Sequence, residues 1–438
     1  MKIAVVGCLH GELDKVYQDI QQTEQQQGCQ VDLVLVCGDF QSVRNEHDLK
    51  CMAVPAKYAQ LGHFHDYYYG RKKAPILTLF IGGNHEASNY VSTLSYGGWV
   101  AYNIYYMGYA NVVRFGGLRI AGVSGIHKRH DACLGHYERL PYDGNSLRSV
   151  FHIRHQEIYR MRMIDNTSEE QPIDIFLSHD WPQNIHANAP PHVQNQLKQQ
   201  KPFFRQEMDE MRLGNELHKP LLIHLRPRFW FSAHLHVRFQ ASIPWSDTAT
   251  TEFLALDKCL PRRKYLEVID IVPKSQGEKV LAYDPEWLAI LRKTDRLISV
   301  DRMPNNKIPD PRNPNVIIDP VTKADVDEVL KIWSEGLTVA LNFTQSEPAL
   351  PDRDTDPGRR RSFTSPQTTE FCKKNNITDP IAKLIGPTVQ LQNPDEIDLD
   401  EDEEEVVEEP SKKLKTEADK ALETGAALFV IDKAGASC

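Results

Sequence analysis

Five short apolar runs, at residues 3–6, 33–36, 76–81, 173–177 and 229–231, punctuate the first 236 residues, and each ends in a polar cluster. They are rich in β-branched and aromatic residues and too short for helices, so each predicts a buried strand. Polar helical segments such as 13–25 alternate with them. That alternation predicts an α/β domain over residues 1–270, with strand pairs after Arg114 closing a second sheet. Runs at 266–271 and 279–282 predict a final hairpin around Ser275-Gln276-Gly277. Beyond it, Asp284-Pro285-Glu286 has a helix-start pattern, with Asp as cap and Pro at the first helical position. Trp287, Ile290 and Leu291 would share one face of that helix. A second helix is expected from Pro320 to Asp325 onward, with Val326, Val329, Leu330 and Trp333 as its stripe. Residues 271–346 therefore predict a hairpin and a small helical region. From Glu347 the pattern fails: 351–366 is rich in Pro, Arg and Ser, and 395–409 is almost continuous acid. Such segments cannot bury enough apolar surface to offset ordering entropy, so 347–438 is expected to be a disordered acidic tail.

The polar clusters behind the five runs carry candidate chemistry. They read Cys8-Leu9-His10, Gly38-Asp39, Gly83-Asn84-His85-Glu86, Ser178-His179-Asp180 and Ala233-His234-Leu235-His236. In open α/β sheets, sites assemble at the carboxyl ends of strands. Five strand ends bearing His, Asp, Asn and Cys therefore describe one site drawn from distant parts of the chain. Two divalent metals about 3.5–4 Å apart can clamp a phosphodiester and activate the attacking water. One carboxylate must bridge them, and Asp39 is the candidate. His234 and His236, at i and i+2, can each turn to a different metal. A lone His-x-His or Gly-Asp means little, since such residues are ordinary at loop ends, and small buried cysteines such as Cys8 are ordinary core residues. The ordered set of five, each behind a strand, is what carries the reading.

Charge changes the picture little. The net charge is −9, but residues 349–438 hold 20 acidic and 12 basic side chains, so −8 lies there and the body is near neutral. Overall acidity is thus no argument against a nucleic-acid substrate. The 8 cysteines form no C-x-x-C pair, which excludes a zinc ribbon and fits a reducing compartment. No hydrophobic stretch is long enough to span a bilayer, and Met1-Lys2 leads directly into a strand, so neither membrane span nor signal peptide is expected. Lys412, Lys413 and Lys415 form a candidate nuclear import signal, which makes the nucleus the expected location.

The order of these clusters resembles that of the calcineurin-like metallophosphoesterases, with Cys8 in place of the first Asp and Ala233 in place of a Gly. Those departures, and the strings GCLHGELDKVY, GDFQSVRNEHDLKCM, GGNHEASNY, YGGWVAYNIYY, SHDWP, SAHLHV and LDKCLPRR, are similar to the RNA lariat debranching enzymes. The resemblance covers roughly residues 1–345. It implies a two-sheet sandwich flanked by helices. It implies one metal held by Cys8, His10, Asp39 and His236, and another by Asp39, Asn84, His179 and His234. It assigns His85 to protonating the leaving group, against the blander role of orienting Asn84 or Asp39. Glu86 and Asp180, each beside a ligand, would position it. A Cys8 thiolate is a soft ligand, favouring zinc, iron or manganese over magnesium.

Substrate choice must come from outside such a centre. Residues 124–154 hold His127, Lys128, Arg129, His130, His136, Arg139, Arg148, His152 and Arg154, interleaved with Tyr137 and Tyr142. Cations read phosphates and aromatics stack on splayed bases, which suits branched RNA. Alone, this stretch is an ordinary solvated loop; the resemblance makes it the lariat-recognition loop. His155 stands where the family usually has Asn. Lys258, Arg262 and Arg263 are a second candidate phosphate contact. The expected activity is hydrolysis of the 2′–5′ bond at intron branchpoints, giving linear RNA for turnover, with spliceosome-associated proteins as candidate partners of the tail. The alternatives are another metallophosphoesterase, acting on 3′–5′ nucleic acid or phosphoproteins, and a dead scaffold on the same fold.

Overall fold

The computed structural model describes residues 1–165, 172–309, 318–345 and 363–386. Thirteen strands occur among these: β1 Lys2–Val6, β2 Leu33–Val36, β3 Thr78–Phe80, β4 Gly98–Ala101, β5 Ile104–Tyr106, β6 Ala110–Phe115, β7 Leu118–Val123, β8 Ile175–Ser178, β9 Phe229–Ser232, β10 Phe239–Pro244, β11 Thr250–Ala255, β12 Leu266–Asp270 and β13 Ala282–Tyr283. They form two sheets, in the orders β12-β1-β2-β3-β5-β4 and β10-β11-β9-β8-β7-β6-β13. The runs β1, β2 and β3 pair in parallel. Sheets covered on both faces need strands that are apolar throughout, and β2 is buried at every residue. Strand β10 instead alternates buried and exposed, as an edge strand with one wet face should.

Alternation along each strand builds three layers of core. Ile3, Val5, Leu33 and Leu35 of the first sheet meet Ile120, Ile175, Leu177 and Phe231 of the second. Their neighbours Ala4, Val6, Val34 and Val36 point the other way, onto Leu13, Val16 and Ile20 of the helix Leu13–Gln27. The far face of the second sheet buries Phe176 and Trp230 in one cluster with Trp287, Ile290 and Leu291. The result is the two-sheet α/β sandwich with flanking helices.

Three expectations need correction. The runs at 266–271 and 279–282 do not form a hairpin. β12 pairs antiparallel with β1, and β13 pairs with β6, so the two lie in different sheets. The turn between them lies against the β6–β7 turn instead, where Ser275 Oγ donates to Gly117 O at 3.1 Å. In the second helix, Lys323–Ile332, Val329 and Trp333 are buried but Leu330 is 44 % exposed. Residues 363–386, expected to lack order, form helices Pro366–Asn375 and Pro380–Ile385. These helices bury Phe371, Cys372, Ile381 and Leu384, and Gln367 both accepts from Trp99 N at 2.9 Å and donates to Trp99 O at 2.8 Å. Four apolar side chains sufficed because the body supplies the other half of the interface. The acidic run, Lys412, Lys413, Lys415 and the tail's partners lie outside the described residues.

Asp284 ties the C-terminal helices to the second sheet. It caps the helix Pro285–Lys293 by accepting from Trp287 N, and its oxygens accept from Arg119 at 2.8 and 2.9 Å and from Arg114 at 2.8 Å. Burial alone would raise this carboxyl, but the guanidinium groups of Arg119 and Arg114 outweigh it and hold it below its ordinary value. Breaking a buried pair leaves an uncompensated charge, so Asp284→Ala should destabilise by about 3–5 kcal/mol in denaturant unfolding. Because this carboxyl titrates lower folded than unfolded, its contribution is complete above 3.8 and is lost as pH falls through the native value. The variant should therefore lose that part of the acid sensitivity. A variant of wild-type stability would show the ion pairs to be neutral.

Candidate metal centre

The carboxyl ends of β1, β2 and β3 lie side by side, and those of β8 and β9 face them from the second sheet. Backbone hydrogen bonds fix the first two motifs to each other: His10 N donates to Asp39 O at 2.7 Å and Leu9 N to Gly38 O at 3.4 Å. His10, Asp39, His234 and His236 all have left-handed backbone, with φ of 50°, 48°, 63° and 49°. Such non-glycine conformations cost of order 1–3 kcal/mol each and concentrate at functional sites. They turn the chain sharply at the strand end and aim successive side chains into one space. The glycines make that space available: a Cβ on Gly83 would overlap the Asp39 carboxylate, and one on Gly38 the His179 ring.

All seven residues expected as ligands meet around Asp39. The donor atoms of Cys8, His10, Asp39 and His236 lie within 4.8 Å of one another. His10 Nε2 is 3.5 Å from His236 Nε2 and 3.7 Å from Asp39 Oδ2. The other carboxylate oxygen, Oδ1, is 3.3 Å from His179 Nε2, which is itself 3.2 Å from Asn84 Oδ1. The His234 ring centroid stands 4.9 Å from that of His179. Each Asp39 oxygen thus faces its own donor group. His179 Nδ1 donates to Cys37 O at 2.7 Å, which turns Nε2 inward. A thiol, four imidazoles, an amide oxygen and one shared carboxylate are a donor set that fits two divalent cations.

The electrostatics of His10, His234 and His236 agree with ligation, whereas His179 has a proton to release when a cation binds. Burial would raise Asp39, yet the charges and hydrogen bond of His179, then His85 and His10, hold it well below its usual range. Burial would lower His179, but the same carboxylate pushes it up to about 9. His10 and His234 are lowered chiefly by burial, and burial together with His10 pushes His236 down to about 3. Neutral imidazoles present lone pairs, the form in which they bind metals. Burial and the Asp39 charge raise the Cys8 thiol, so its ionisation requires a cation beside it.

His85 stands at the edge of this group. Its N–H donates to Asp39 Oδ1 at 2.9 Å, its Nε2 lies 3.0 Å from Asn84 Nδ2, and its ring is 5.7 Å from that of His10. Glu86 accepts from Phe40 N at 2.7 Å, Gln41 N at 2.9 Å and Gly83 N at 3.1 Å, so it staples the β2 and β3 motifs together. Asp180 Oδ1 is 3.7 Å from His234 Nε2, while Oδ2 accepts from His127 N at 2.7 Å. The 124–154 loop is therefore rooted on the centre itself. Three contributors escaped the sequence reading. Gln41 places its amide 3.2 Å from His10 Nδ1, Asn215 lies 3.4 Å from Asp180 Oδ2, and buried His218 contacts Asp180 O at 3.4 Å. Gln41, two residues after Asp39, was within reach of the motif; the others have no local signal.

The loop at 124–154 divides sharply. Lys128, Arg129, His130, Arg139 and Arg148 are exposed, and His127 and Tyr142 are half-buried. Three expected RNA contacts are instead buried parts of the loop's own frame. Arg154 is 1 % exposed and donates to Glu138 Oε1 at 2.6 Å and to the carbonyls of Ser149, Gly135 and Asp131. His136 stacks on Tyr109 at 4.0 Å and lies 3.1 Å from Glu157. His152 Nδ1 is 2.5 Å from Asp131 Oδ2. A loop without strands of its own needs internal polar partners to hold a shape, and these charges supply them. His155 is half-buried and opens the helix His155–Arg162. On the other flank, Lys258 bridges to the backbone of Cys8, Arg262 is exposed, and Arg263 is bound to Asp257 at 3.0 Å. Among the described residues no helix is long and apolar enough to cross a membrane.

Comparison with known proteins gives two family matches. Residues 1–238 match the calcineurin-like phosphoesterases, and 248–380 match the lariat debranching enzyme C-terminal domain. The chain is 47 % identical over 398 residues to a human lariat debranching enzyme, covering 88 % of this chain and 70 % of the relative. It is 46 % identical over 401 residues to one from Danio rerio, covering 89 % and 68 %. With one from Arabidopsis thaliana it shares 48 % over 307 residues, covering 70 % and 71 %.

Proposed function

The chain belongs to the lariat debranching enzymes of the calcineurin-like phosphoesterase superfamily, and from that membership we propose how its own residues divide the work. The protein is a metal-dependent phosphodiesterase that debranches lariat RNA. The proposal concerns roles. Cys8, His10, Asp39 and His236 would hold one divalent metal, and Asp39, Asn84, His179 and His234 the other. When bound, the pair supplies the activated water and neutralises charge on the scissile phosphate. The observation that carries this is the Asp39 carboxylate, fully buried and ionised, with a separate donor group at each oxygen.

The remaining steps fall to side chains. His85 protonates the departing 2′ oxygen of the branch nucleotide. Glu86 keeps the Asp39 and Asn84 loops in register, and Asp180 steadies His234 while anchoring the recognition loop through His127. Lys128, Arg129 and Arg139 hold RNA phosphates. The Cys8 thiolate supports zinc, iron or manganese in its site over magnesium. The lysines at 412, 413 and 415 support a nuclear location, and the acidic tail a docking site for spliceosome-associated proteins. The deciding experiment is metal analysis of the purified protein coupled to cleavage of a 2′–5′ branched oligonucleotide beside its linear isomer. Metal without preference for the branch would point to a general phosphodiesterase, and absence of metal and activity to a scaffold.

Substituting Lys128, Arg129 and Arg139 together by Ala tests the recognition loop. Binding of branched RNA should weaken and its salt dependence flatten by up to about one unit of slope per lost contact. Hydrolysis of bis-nitrophenyl phosphate should change little, because that substrate has no arms to hold. Equal loss in both assays would make the loop a structural element, and no loss in either a solvated surface.

A further inference from the structure

A second segment besides the recognition loop is rooted on the metal centre. Past the end of β8 the chain departs at Pro182 and comes back beside it at Asn215, and these two residues form a parallel bridge. Asn215 N donates to Trp181 O at 2.8 Å, and its side chain lies 3.4 Å from Asp180 Oδ2. Both feet of this excursion thus stand beside Asp180. Its outer part is the helix Pro191–Gln200, a tight turn Pro202–Phe204 and the helix Arg205–Asp209.

The turn carries a cation and an aromatic ring. Phe204 packs against the core and holds the turn in place. Phe203 lies 4.4 Å from it, centroid to centroid, yet is 65 % exposed. Lys201 closes the preceding helix through its N–H to Leu197 O, and its Nζ is 5.8 Å from the Phe203 ring. Lys201 is half-buried and within charge-interaction range of Asp257, Arg263, Lys258 and Cys8, so it faces the Cys8 side of the centre. Asp257 is already engaged by Arg263 at 3.0 Å and by Lys258 N at 2.7 Å. Arg263 is thus the cation paired with Asp257 among the described residues, and Lys258 reaches it only through its backbone. Burial lowers Lys201, and Asp257 opposes the shift only in part.

We infer that Phe203 and Lys201, together with Lys258, bind one nucleotide of the branched RNA, with its base stacked on Phe203 and its phosphate held by the two lysines. This rests on the debranching activity. Geometry gives the turn its own arm of the substrate. The recognition loop hangs from β7 beside the β3 motif, where Gly125 N donates to Gly82 O at 2.8 Å. The turn faces the β1 motif. β1 and β3 flank β2, so the two elements neighbour different strand ends of the first sheet. A branchpoint has more than one arm leaving the scissile bond, and single-stranded RNA is gripped by alternating stacking and phosphate contacts.

The test uses the full chain with its metals and a 2′–5′ branched oligonucleotide. Phe203→Ala should raise KM about ten-fold or more, the usual worth of a base–aromatic stack. Phe203→Trp should restore KM, and the introduced indole should be quenched by RNA relative to wild type. Replacing the arm nucleotides one at a time by abasic residues should reveal one position whose loss raises KM in wild type but not in Phe203→Ala. Lys201→Gln should flatten the salt dependence by about one unit. Unchanged KM in Phe203→Ala, an unquenched indole, or equal sensitivity to every abasic position would each overturn the inference while wild type still prefers the branch. If wild type shows no preference for the branched over the linear isomer, the debranching reading falls, and this inference with it.

Discussion

Asp39→Ala is expected to strip the protein of metal and of activity together. Metal content should fall from about two ions per chain to well below one, and cleavage of branched RNA by more than the roughly 10⁴-fold that a lost general acid can explain. The reason is that one side chain serves both donor groups. Oδ2 faces His10 in the Cys8 group, and Oδ1 faces His179 in the Asn84 group. The same oxygen Oδ1 accepts the His85 N–H, so the β3 motif also loses its tether. Fold stability should suffer less. The partner left behind, His179, can shed the proton that the carboxylate helped it hold, and the Glu86 staple stays in position. Elemental analysis, circular dichroism and branched-RNA cleavage on one preparation check the three parts. A folded variant that retains two metals would show that Asp39 does not bridge.

How much of this was legible in the sequence depends on how local each signal is. The five motifs were, because a β-branched run and the donor residues behind it lie within ten positions of each other. The cap at Asp284 was legible for the same reason. The left-handed backbone at His10, Asp39, His234 and His236 was not, since nothing in those residue types calls for positive φ. Tertiary context imposes it. The division of the 124–154 loop was equally hidden: Arg129 and Arg154 read alike in sequence, yet one is exposed and the other is enclosed by Glu138 and three carbonyls. Burial of an arginine depends on a partner chosen elsewhere in the fold. The final hairpin failed because two runs near in sequence found better partners, β1 and β6, in separate sheets. Residues 363–386 were missed because their apolar side chains are few and their contacts, Trp99 and Thr93, lie some 270 positions away.

His85→Ala is expected to keep both metals and the affinity for branched RNA while losing about 10²–10⁴-fold in kcat, the usual worth of a general acid. The geometry separates this side chain from the ligands. The peptide N–H of residue 85, which tethers the loop to Asp39, survives the substitution, as do the contact of Asn84 Oδ1 with His179 and those of Glu86, although Asn84 Nδ2 loses its ring partner. What disappears is the ring, which lies 5.7 Å from that of His10 and whose Nδ1 is buried without a hydrogen-bond partner among the described residues. A group that protonates a leaving oxygen matters in proportion to how poorly that oxygen leaves. The loss should therefore shrink when the branch is replaced by a nitrophenyl leaving group, which departs without a proton. A positioning role for His85 predicts the opposite, a uniform loss with both substrates, because a displaced Asn84 or Asp39 would harm every reaction at the centre. Loss of one metal from the variant would reassign His85 to the ligands, and the two readouts taken together leave each role with its own signature.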